Sequence, residues 1–498
     1  MATPAIARRT PAALVWGAVV AVPILLVHMP SFFHRLLDGD EAIYASIAAL
    51  MNGGGKLYGD GGVDNKPPGI FWVYAATFHV AGTYQMTAVH AVGLLAMAAT
   101  CVLLFITAHA MAGFRAGILA ALFYGVMTGA GNPRLPATNT EVLMMLPLTA
   151  SVLLMLRRQW LWSGALLVAA GAFRQVAAVN VFLVPVALIL LEPRARWPRA
   201  GAQFAGGLAV GLLAGALLLA LTGSPAGFWR WTIGSLYGYV TTNWTPDLLW
   251  QRAKDSILPF IGDDIVVWVP ALAFAIRWKR LGPRQRVIVA WLVVSVLGSL
   301  AGGHLSWHYF IQVMGPLALL AALAIDGALE LSRRRWVAGA IAVGLAVPML
   351  YWGVYDVAAD PLTYDAGGHI PQHQLVAAYI NDHTQPGDRV FVWGDWPALY
   401  VESDRLMARR FPGFLRGFSR GSAEPPNNWD TTSDVWPLLQ ADLAQNPPAL
   451  IVDTAAAGWS DFAKYPLLGY PVLADLVETS YHPVAVVDGV TMYRRNGH

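Results

Sequence analysis

Three charged residues near the start of the chain have types and spacing suited to group transfer. Asp40 and Glu41 form an acidic pair, and Lys66 follows in a Lys-Pro-Pro sequence, in a polar stretch between two apolar runs. A carboxylate beside an acceptor hydroxyl can take its proton, and a lysine can bind a phosphate as a point charge. The residues therefore fit sugar transfer from a lipid phosphate, with Asp40 as the base and Lys66 on the leaving phosphate.

Asp40 and Lys66 also have structural interpretations. Asp40 could be the N-cap of a helix that starts near Glu41, because aspartate before a helix-forming run is a common cap. Lys66 could mark a membrane boundary, and the two prolines after it would then set an extended entry into the next helix. These residues alone leave both interpretations open.

The composition is that of a membrane protein. Of the 498 residues, 56% are hydrophobic and 13% are charged, which is more apolar than a soluble domain of this size needs. Charged residues are sparse up to about residue 355 and reach an ordinary density afterwards. We therefore predict a membrane domain over residues 1–355 and a soluble domain over residues 356–498. The net charge of +3 and the short basic clusters between apolar runs argue against nucleic-acid binding.

The apolar runs and basic clusters predict about eleven transmembrane helices. The candidate spans cover residues 12–29, 86–111, 114–131, 141–156, 160–173, 177–191, 200–222, 256–276, 287–302, 309–326 and 336–354. The apolar run Pro68–Ala81 is not counted, because a span there would place the later arginine clusters on the opposite side from Arg8 and Arg9. We predict that it is an interfacial helix. The N-terminus is then cytoplasmic, and the first loop, residues 30–85, and the C-terminal domain are external.

Two further residues fall on the external side in this topology. Arg134 lies in the second external loop, where it could bind a phosphate or be an ordinary surface arginine. His308 precedes a span, where a histidine can bind phosphate, ligate a metal or lie at the membrane interface. The chain has no tight His/Asp/Glu spacing of the kind that metal sites use. We therefore predict no metal or other cofactor, although the sequence does not decide whether a divalent ion takes part.

The segment DGDEAIYASIAALMNGGGKLYGDGGVDNKPPGIFWVY resembles the first external loop of the GT-C glycosyltransferases. The similarity is to the protein O-mannosyltransferase-like branch, which includes transferases that modify lipid A and lipopolysaccharide. The shared pattern is Asp-Glu, Ala-x-Tyr-Ala, a Gly-rich stretch that ends in Tyr, Lys-Pro-Pro and an aromatic-rich helix. Weaker similarities follow at Glu141, at Gly171–Arg174 and at His308–Phe310. The resemblance implies a polytopic α-helical membrane protein with a GT-C-like fold.

The same resemblance implies roles for the charged residues of the motif. In this resemblance, Asp40 looks like the family's catalytic base, because it is the first acid of the Asp-Glu pair. Glu41 looks like the second acid, which shapes the site or orients Asp40. We assign both residues as catalytic. Lys66 is similar to the residue that contacts the lipid phosphate. Arg174 occupies a place where relatives carry Lys or Arg near the phosphate, and we also assign His308 to phosphate binding.

The resemblance and the external loops also supply candidate substrate-binding residues. Glu141 resembles the second acidic residue of the family's site, where members often have Asp. We assign Glu141, Tyr44, Tyr58 and Arg134 to substrate binding. The expected substrates are a polyprenyl-phosphate sugar donor and a lipid, glycan or protein acceptor.

The C-terminal segment has alternating helix and strand patterns. Leu375–His383 reads as a helix, Arg389–Trp393 and Ala449–Val452 as strands, and His482–Arg494 as a hairpin. This alternation predicts a small soluble α/β domain.

Two classes of function fit these features. The first is an inverting hexosyl- or pentosyltransferase that acts as a monomer at the outer, periplasmic face of a bacterial cytoplasmic membrane. The second is a transporter or flippase of a lipid-linked sugar. A transporter should place ionisable groups midway through its spans and often has matched halves. This chain concentrates such groups in the external loops, which favours the transferase.

Overall fold

Helices form most of the chain before the C-terminal segment. The computed structural model describes residues 20–129, 135–234, 245–332, 370–413, 435–458 and 462–497, together with residues 344, 347 and 351. The longer helices of this part are Gly39–Asn52, Gly69–Ala81, Met86–Ala112, Phe114–Met127, Thr140–Leu156, Trp160–Gly171, Trp197–Thr222, Ile265–Ala275, Pro283–Leu300 and Ile311–Ser332. The shorter ones include Gln175–Phe182, which is a 3₁₀ helix, Leu183–Leu191, Pro246–Arg252 and Leu258–Asp263.

Within the described ranges, four helices are long and apolar enough to cross a membrane. They are Met86–Ala112, Arg194–Thr222, Pro283–Leu300 and Trp307–Glu330. Each of them contains most of a predicted span. Shorter apolar helices stand at four other predicted spans, and the segment that the sequence assigned to the interface is the helix Gly69–Ala81. The total of about eleven spans stays a prediction, since residues 12–19 and most of 336–354 lie outside the described chain.

The predicted span at 256–276 is broken in the structure. The helices on either side of Asp264, Pro246–Asp263 and Ile265–Ala275, are bent by 81° relative to one another. Asp264 ends the first helix and begins the second, with φ −104° and ψ 19°, outside the helical region. The segment of this predicted span is therefore bent and is not one straight helix, and the acidic pair Asp263 and Asp264 lies at the helix end.

The first of two compact units contains most of the apolar helices. It comprises residues Met1–Phe33, Ala91–Leu212 and Pro246–Ala359. Its central helix, Ile311–Ser332, packs against Phe114–Met127, Ile265–Ala275 and Pro283–Leu300. The helices Trp160–Gly171 and Trp197–Thr222 pack closely because Gly207 has no side chain. A Cβ at Gly207 would collide with the carbonyl oxygen of Leu161.

The second compact unit brings the first loop and the C-terminal segment together. It comprises residues His34–His90, Leu213–Thr245 and Asp360–His498. The helix Gly39–Asn52 packs against Gly69–Ala81 and against the short helix Ala398–Glu402. The backbone N–H of Val63 donates to the carbonyl oxygen of Arg410 at 3.0 Å. The boundary at residue 356 between two separate domains remains a prediction.

The C-terminal segment folds around a five-stranded mixed sheet. In chain order the strands are β1 (Arg389–Trp393), β2 (Leu406–Met407), β3 (Leu450–Asp453), β4 (Tyr481–Val487) and β5 (Val490–Arg495), and their order across the sheet is β2-β1-β3-β5-β4. β1 pairs in parallel with β2 and β3, while β5 is antiparallel to β3 and β4. The helices of this segment are Ile370–His383, Ala398–Glu402, Trp436–Gln445 and Pro471–Ser480. The predicted helix, strands and hairpin are confirmed, and the sequence missed the two-residue strand β2.

Candidate active site

The helix that carries Asp40 begins earlier than the sequence suggested. It starts at Gly39, and its N-cap is Asp38, which has an extended backbone and accepts a hydrogen bond from the backbone N–H of Asp40. The donor and acceptor atoms of this bond are 3.4 Å apart. Asp40 therefore lies inside the first turn and is not the cap, so the structural alternative for this residue was wrong. A carboxylate in the first turn is also favoured by the helix dipole.

Tyr44 holds the carboxylate of Asp40 from one turn further along the helix. Residues four apart lie on the same helical face, and the hydroxyl of Tyr44 donates to Oδ2 of Asp40 at 3.3 Å. Tyr44 is buried, and its ring makes edge contacts with Phe71 and Tyr74. Asp40 is only partly buried. The result is a carboxylate with a fixed direction and an accessible side.

Glu41, the neighbour of Asp40, is fully buried. Its Oε2 accepts from the backbone N–H of Leu37 at 2.8 Å, and its Oε1 is 3.1 Å from Nε2 of His90. Both side chains of the Glu41–His90 pair have no exposed area. The spacing Asp38-x-x-Glu41 is that of a capping box, with the Glu41 carboxylate reaching one residue further back. The geometry supports a structural task for Glu41, which was assigned as catalytic from the sequence.

Lys66 is held at its backbone by two side chains of the same loop. Its N–H donates to Oδ1 of Asp64 at 2.9 Å, and its carbonyl oxygen accepts from the hydroxyl of Tyr58 at 2.6 Å. Its Nζ donates to Oδ1 of Asn65 at 3.3 Å. The lysine is partly buried, and Pro68, the N-cap of the next helix, is buried behind it. Because the backbone of Lys66 is hydrogen-bonded on both sides, its ammonium group can be held near an anionic ligand.

A second group of polar residues lies within the first compact unit, around Glu141. An ion pair joins Oε1 of Glu141 to Nη1 of Arg174 at 2.9 Å, and Oε2 of Glu141 accepts from the hydroxyl of Thr140 at 2.7 Å. Nε2 of His308 is 4.0 Å from the same carboxylate. The guanidinium carbon of Arg174 lies 4.0 Å from the centre of the Tyr309 ring. The structure thus brings together Glu141, Arg174 and His308, three residues that the sequence singled out separately.

The Glu141 group is buried and contains both signs of charge. Glu141 is 1% exposed, and Arg174 and His308 are 7% and 6% exposed. A carboxylate and a guanidinium at this burial must be paired, because removal of either charge from water is costly. The cation–π contact with Tyr309 adds to the environment of Arg174. An anionic ligand at this position would have to share Arg174 with Glu141.

Several features of these sites could not be read from the sequence. His90, the partner of Glu41, stands 49 residues away with no local signal. The capping-box spacing Asp38-x-x-Glu41 is present in the sequence and is the local signal for Asp38 as the N-cap. Arg134 lies outside the described residues. Within the described ranges, no group of three or more His, Cys, Asp or Glu side chains could hold a metal ion.

Known proteins share this architecture. Residues 65–219, which include Lys66, Glu141 and Arg174, match the family of dolichyl-phosphate-mannose-protein mannosyltransferases. ArnT from Cupriavidus metallidurans, bound to undecaprenyl phosphate, superposes over 97% of this chain and 98% of that chain with a TM-score of 0.67 and 16% identity. The archaeal oligosaccharyltransferase AglB from Archaeoglobus fulgidus, in complex with an inhibitory peptide and a dolichol-phosphate, covers 98% and 75% with a TM-score of 0.55 and 12% identity. Among curated proteins, no sequence matches this chain.

The fold and the matched segment define the class of protein. The chain has the GT-C fold that ArnT and AglB share, and its residues 65–219 are similar to the dolichyl-phosphate-mannose-protein mannosyltransferases. The resemblance inferred from the first loop is therefore confirmed.

Proposed function

We propose that this protein is an inverting glycosyltransferase that uses a polyprenyl-phosphate sugar donor. It transfers a hexosyl or pentosyl group to a lipid, glycan or protein acceptor on the outer face of a bacterial cytoplasmic membrane. The observation that carries the proposal is the state of Asp40, which is relieved of capping by Asp38, directed by Tyr44 and partly exposed. A carboxylate in this state is suited to act as a general base.

The proposed reaction is a single displacement at the anomeric carbon of the donor sugar. The acceptor oxygen attacks this carbon while Asp40 takes the hydroxyl proton. The bond between the carbon and the phosphate oxygen breaks, and the lipid phosphate leaves with the electron pair. The ammonium of Lys66 stabilises the negative charge that develops on the phosphate. Attack from the face opposite the leaving group inverts the anomeric configuration.

The other assigned residues take supporting roles in this proposal. Tyr44 directs Asp40, and Glu41 holds the start of the helix on which Asp40 stands. Arg174 and His308 are proposed to contact the donor phosphate. The carboxylate of Glu141 partly offsets the positive charge of Arg174. Arg134 is retained as a candidate for substrate binding on the basis of its sequence position alone.

The matched proteins favour a transferase over a transporter. The family that matches residues 65–219 consists of mannosyltransferases, and AglB is an oligosaccharyltransferase. ArnT was solved with undecaprenyl phosphate and AglB with a dolichol-phosphate, so a polyprenyl-phosphate donor is consistent with both. The identity of the sugar and of the acceptor is a matter for a substrate panel.

The test is sugar transfer by purified protein with a panel of polyprenyl-phosphate sugars, followed by mass analysis of the product. With the donor that the wild type uses, Asp40→Asn should lower kcat by about a hundred- to ten-thousandfold, the usual contribution of a general base. Asp38→Asn is the matched control, because it removes a carboxylate two residues away and asparagine caps a helix as well as aspartate does. It should retain transfer. Near-normal turnover by folded Asp40→Asn protein would overturn the assignment.

A further inference from the structure

A distant stretch of chain is hydrogen-bonded to the first loop beside Lys66. The backbone N–H of Leu57 donates to the carbonyl oxygen of Thr222 at 3.2 Å, and the N–H of Ser224 donates to the carbonyl oxygen of Leu57 at 2.8 Å. These two bonds form a parallel bridge between Leu57 and Gly223. The chain that follows the helix Trp197–Thr222 is thereby fixed against residue 57, and with it the side chains at 227–232.

Tyr58, the next residue, is constrained on every side. Its backbone is left-handed, with φ 61°, which a non-glycine residue adopts only when its surroundings require it. Its N–H donates to the carbonyl oxygen of Gly62 at 2.8 Å. A Cβ at Gly227 would collide with the Tyr58 carbonyl oxygen. The ring lies 5.4 Å from that of Phe228 and 6.3 Å from that of Phe71.

These constraints fix a hydroxyl on the carbonyl of Lys66. The Tyr58 hydroxyl donates to the Lys66 carbonyl oxygen at 2.6 Å, and the Thr232 hydroxyl reaches the same oxygen at 3.4 Å. On the other side of the residue, Asp64 accepts from the Lys66 N–H at 2.9 Å. Burial raises the pKa of the Tyr58 phenol well above its usual range, so the phenol stays protonated and remains a donor. Tyr58 is 2% exposed, which leaves it almost no surface for a substrate.

We propose that Tyr58, with Thr232, is a positioning residue that sets the direction in which Lys66 presents its ammonium to the donor phosphate. This inference rests on the proposed role of Lys66 and replaces the substrate-binding role that the sequence suggested for Tyr58. A lysine side chain carries about 2 kcal/mol of rotamer entropy, so its reach is defined only as well as its backbone is. Displacement of a binding group by about 1 Å is enough to weaken a reaction strongly.

Undecaprenyl phosphate without a sugar is the probe, and its binding is measured on purified full-length protein. Tyr58→Phe removes the hydroxyl and keeps the ring, and it should weaken binding about three- to tenfold, as expected for one hydrogen bond. Lys66→Ala should weaken binding more. The double variant should bind no more weakly than Lys66→Ala alone, because the hydroxyl acts through the lysine. Additive losses in the double variant, or wild-type binding by Tyr58→Phe, would overturn the inference.

Tyr481→Phe is the matched control for this experiment. The hydroxyl of Tyr481 also donates to a backbone carbonyl, that of Pro448 at 2.9 Å, and the residue is buried in the C-terminal sheet. This control should show a similar loss of thermal stability and unchanged undecaprenyl phosphate binding. Should Tyr58→Phe fail to fold, Thr232→Val removes the weaker contact and should reduce binding about twofold. Unchanged binding by Lys66→Ala would overturn the proposed function itself, an outcome distinct from failure of the Tyr58 inference.

Discussion

Charged side chains are held in opposite ways in the first loop and around Glu141. Asp40 and Lys66 are partly buried, and their contacts include the hydroxyl of Tyr44 and the amide of Asn65 respectively. Glu141 and Arg174 are buried and form an ion pair with each other. A partly exposed charge is accessible to a ligand, whereas a buried pair is shielded from solvent and neutralised by its partner. We therefore expect the loop residues to act on the substrate, and we expect the Glu141–Arg174 pair to contribute to stability in addition to the proposed contact of Arg174 with the donor phosphate.

The comparison predicts that loss of one charge of the buried Glu141–Arg174 pair reduces the stability of the protein. Arg174→Met leaves a buried carboxylate without its cation and should lower the free energy of unfolding by about 3–5 kcal/mol. Thermal unfolding of the purified protein measures this. Adding Glu141→Leu should recover much of the loss, since an apolar pair can replace a buried ion pair.

Arg35→Met is the control for Arg174→Met. Arg35 pairs with Asp404, and the two side chains are 32% and 54% exposed. A partly exposed pair contributes about 0–1 kcal/mol, so this variant should unfold close to the wild type. Equal stability of Arg174→Met and the wild type would show that the Glu141 pair is not a structural element.

Glu41 extends the comparison to a buried carboxylate within the first loop. It is buried like Glu141, whereas the adjacent Asp40 is partly exposed. Glu41→Gln keeps the size of the side chain but disturbs its contacts with Leu37 and His90. It should lower the free energy of unfolding by about 1–3 kcal/mol, with the remaining folded fraction active. Unfolding curves and transfer rates per folded molecule separate these effects.

Glu330→Gln is the control for Glu41→Gln. The Glu330 carboxylate is 67% exposed and lies 3.4 Å from Arg115, so its loss should change stability by less than about 0.5 kcal/mol. A folded Glu41→Gln protein with wild-type stability and little turnover would instead make Glu41 a catalytic residue.

Local patterns in the sequence predicted most of the helices and strands, but they did not predict which distant side chains contact one another. The strand Arg389–Trp393 was predicted with its observed bounds, because the alternation of strand and helix signals is local. The contact of His90 with Glu41 depends on how distant segments pack, and no periodicity reports that. The same holds for Thr232, which reaches Lys66 from 166 residues away. The bend at Asp264 has a local signal in Gly262-Asp263-Asp264, which interrupts the apolar run, but its angle of 81° depends on how the two helices pack.

The roles assigned to Asp38 and Asp40 depend on which of the two aspartates caps the helix. Loss of the cap is expected to cause the smallest change in stability among these predictions. Asp38→Ala removes the acceptor of the Asp40 N–H and should lower the free energy of unfolding by about 1 kcal/mol, whereas Asp38→Asn should leave it unchanged. Asp40→Asn should also leave stability nearly unchanged, since asparagine keeps a side-chain oxygen that can accept from the Tyr44 hydroxyl. Thermal unfolding of the three variants, combined with their transfer rates, separates the cap from the base. If Asp40→Asn lost as much stability as Asp38→Ala, Asp40 would have a structural role at the helix end. Its loss of transfer activity could then result from the disturbed helix and would not identify Asp40 as the base.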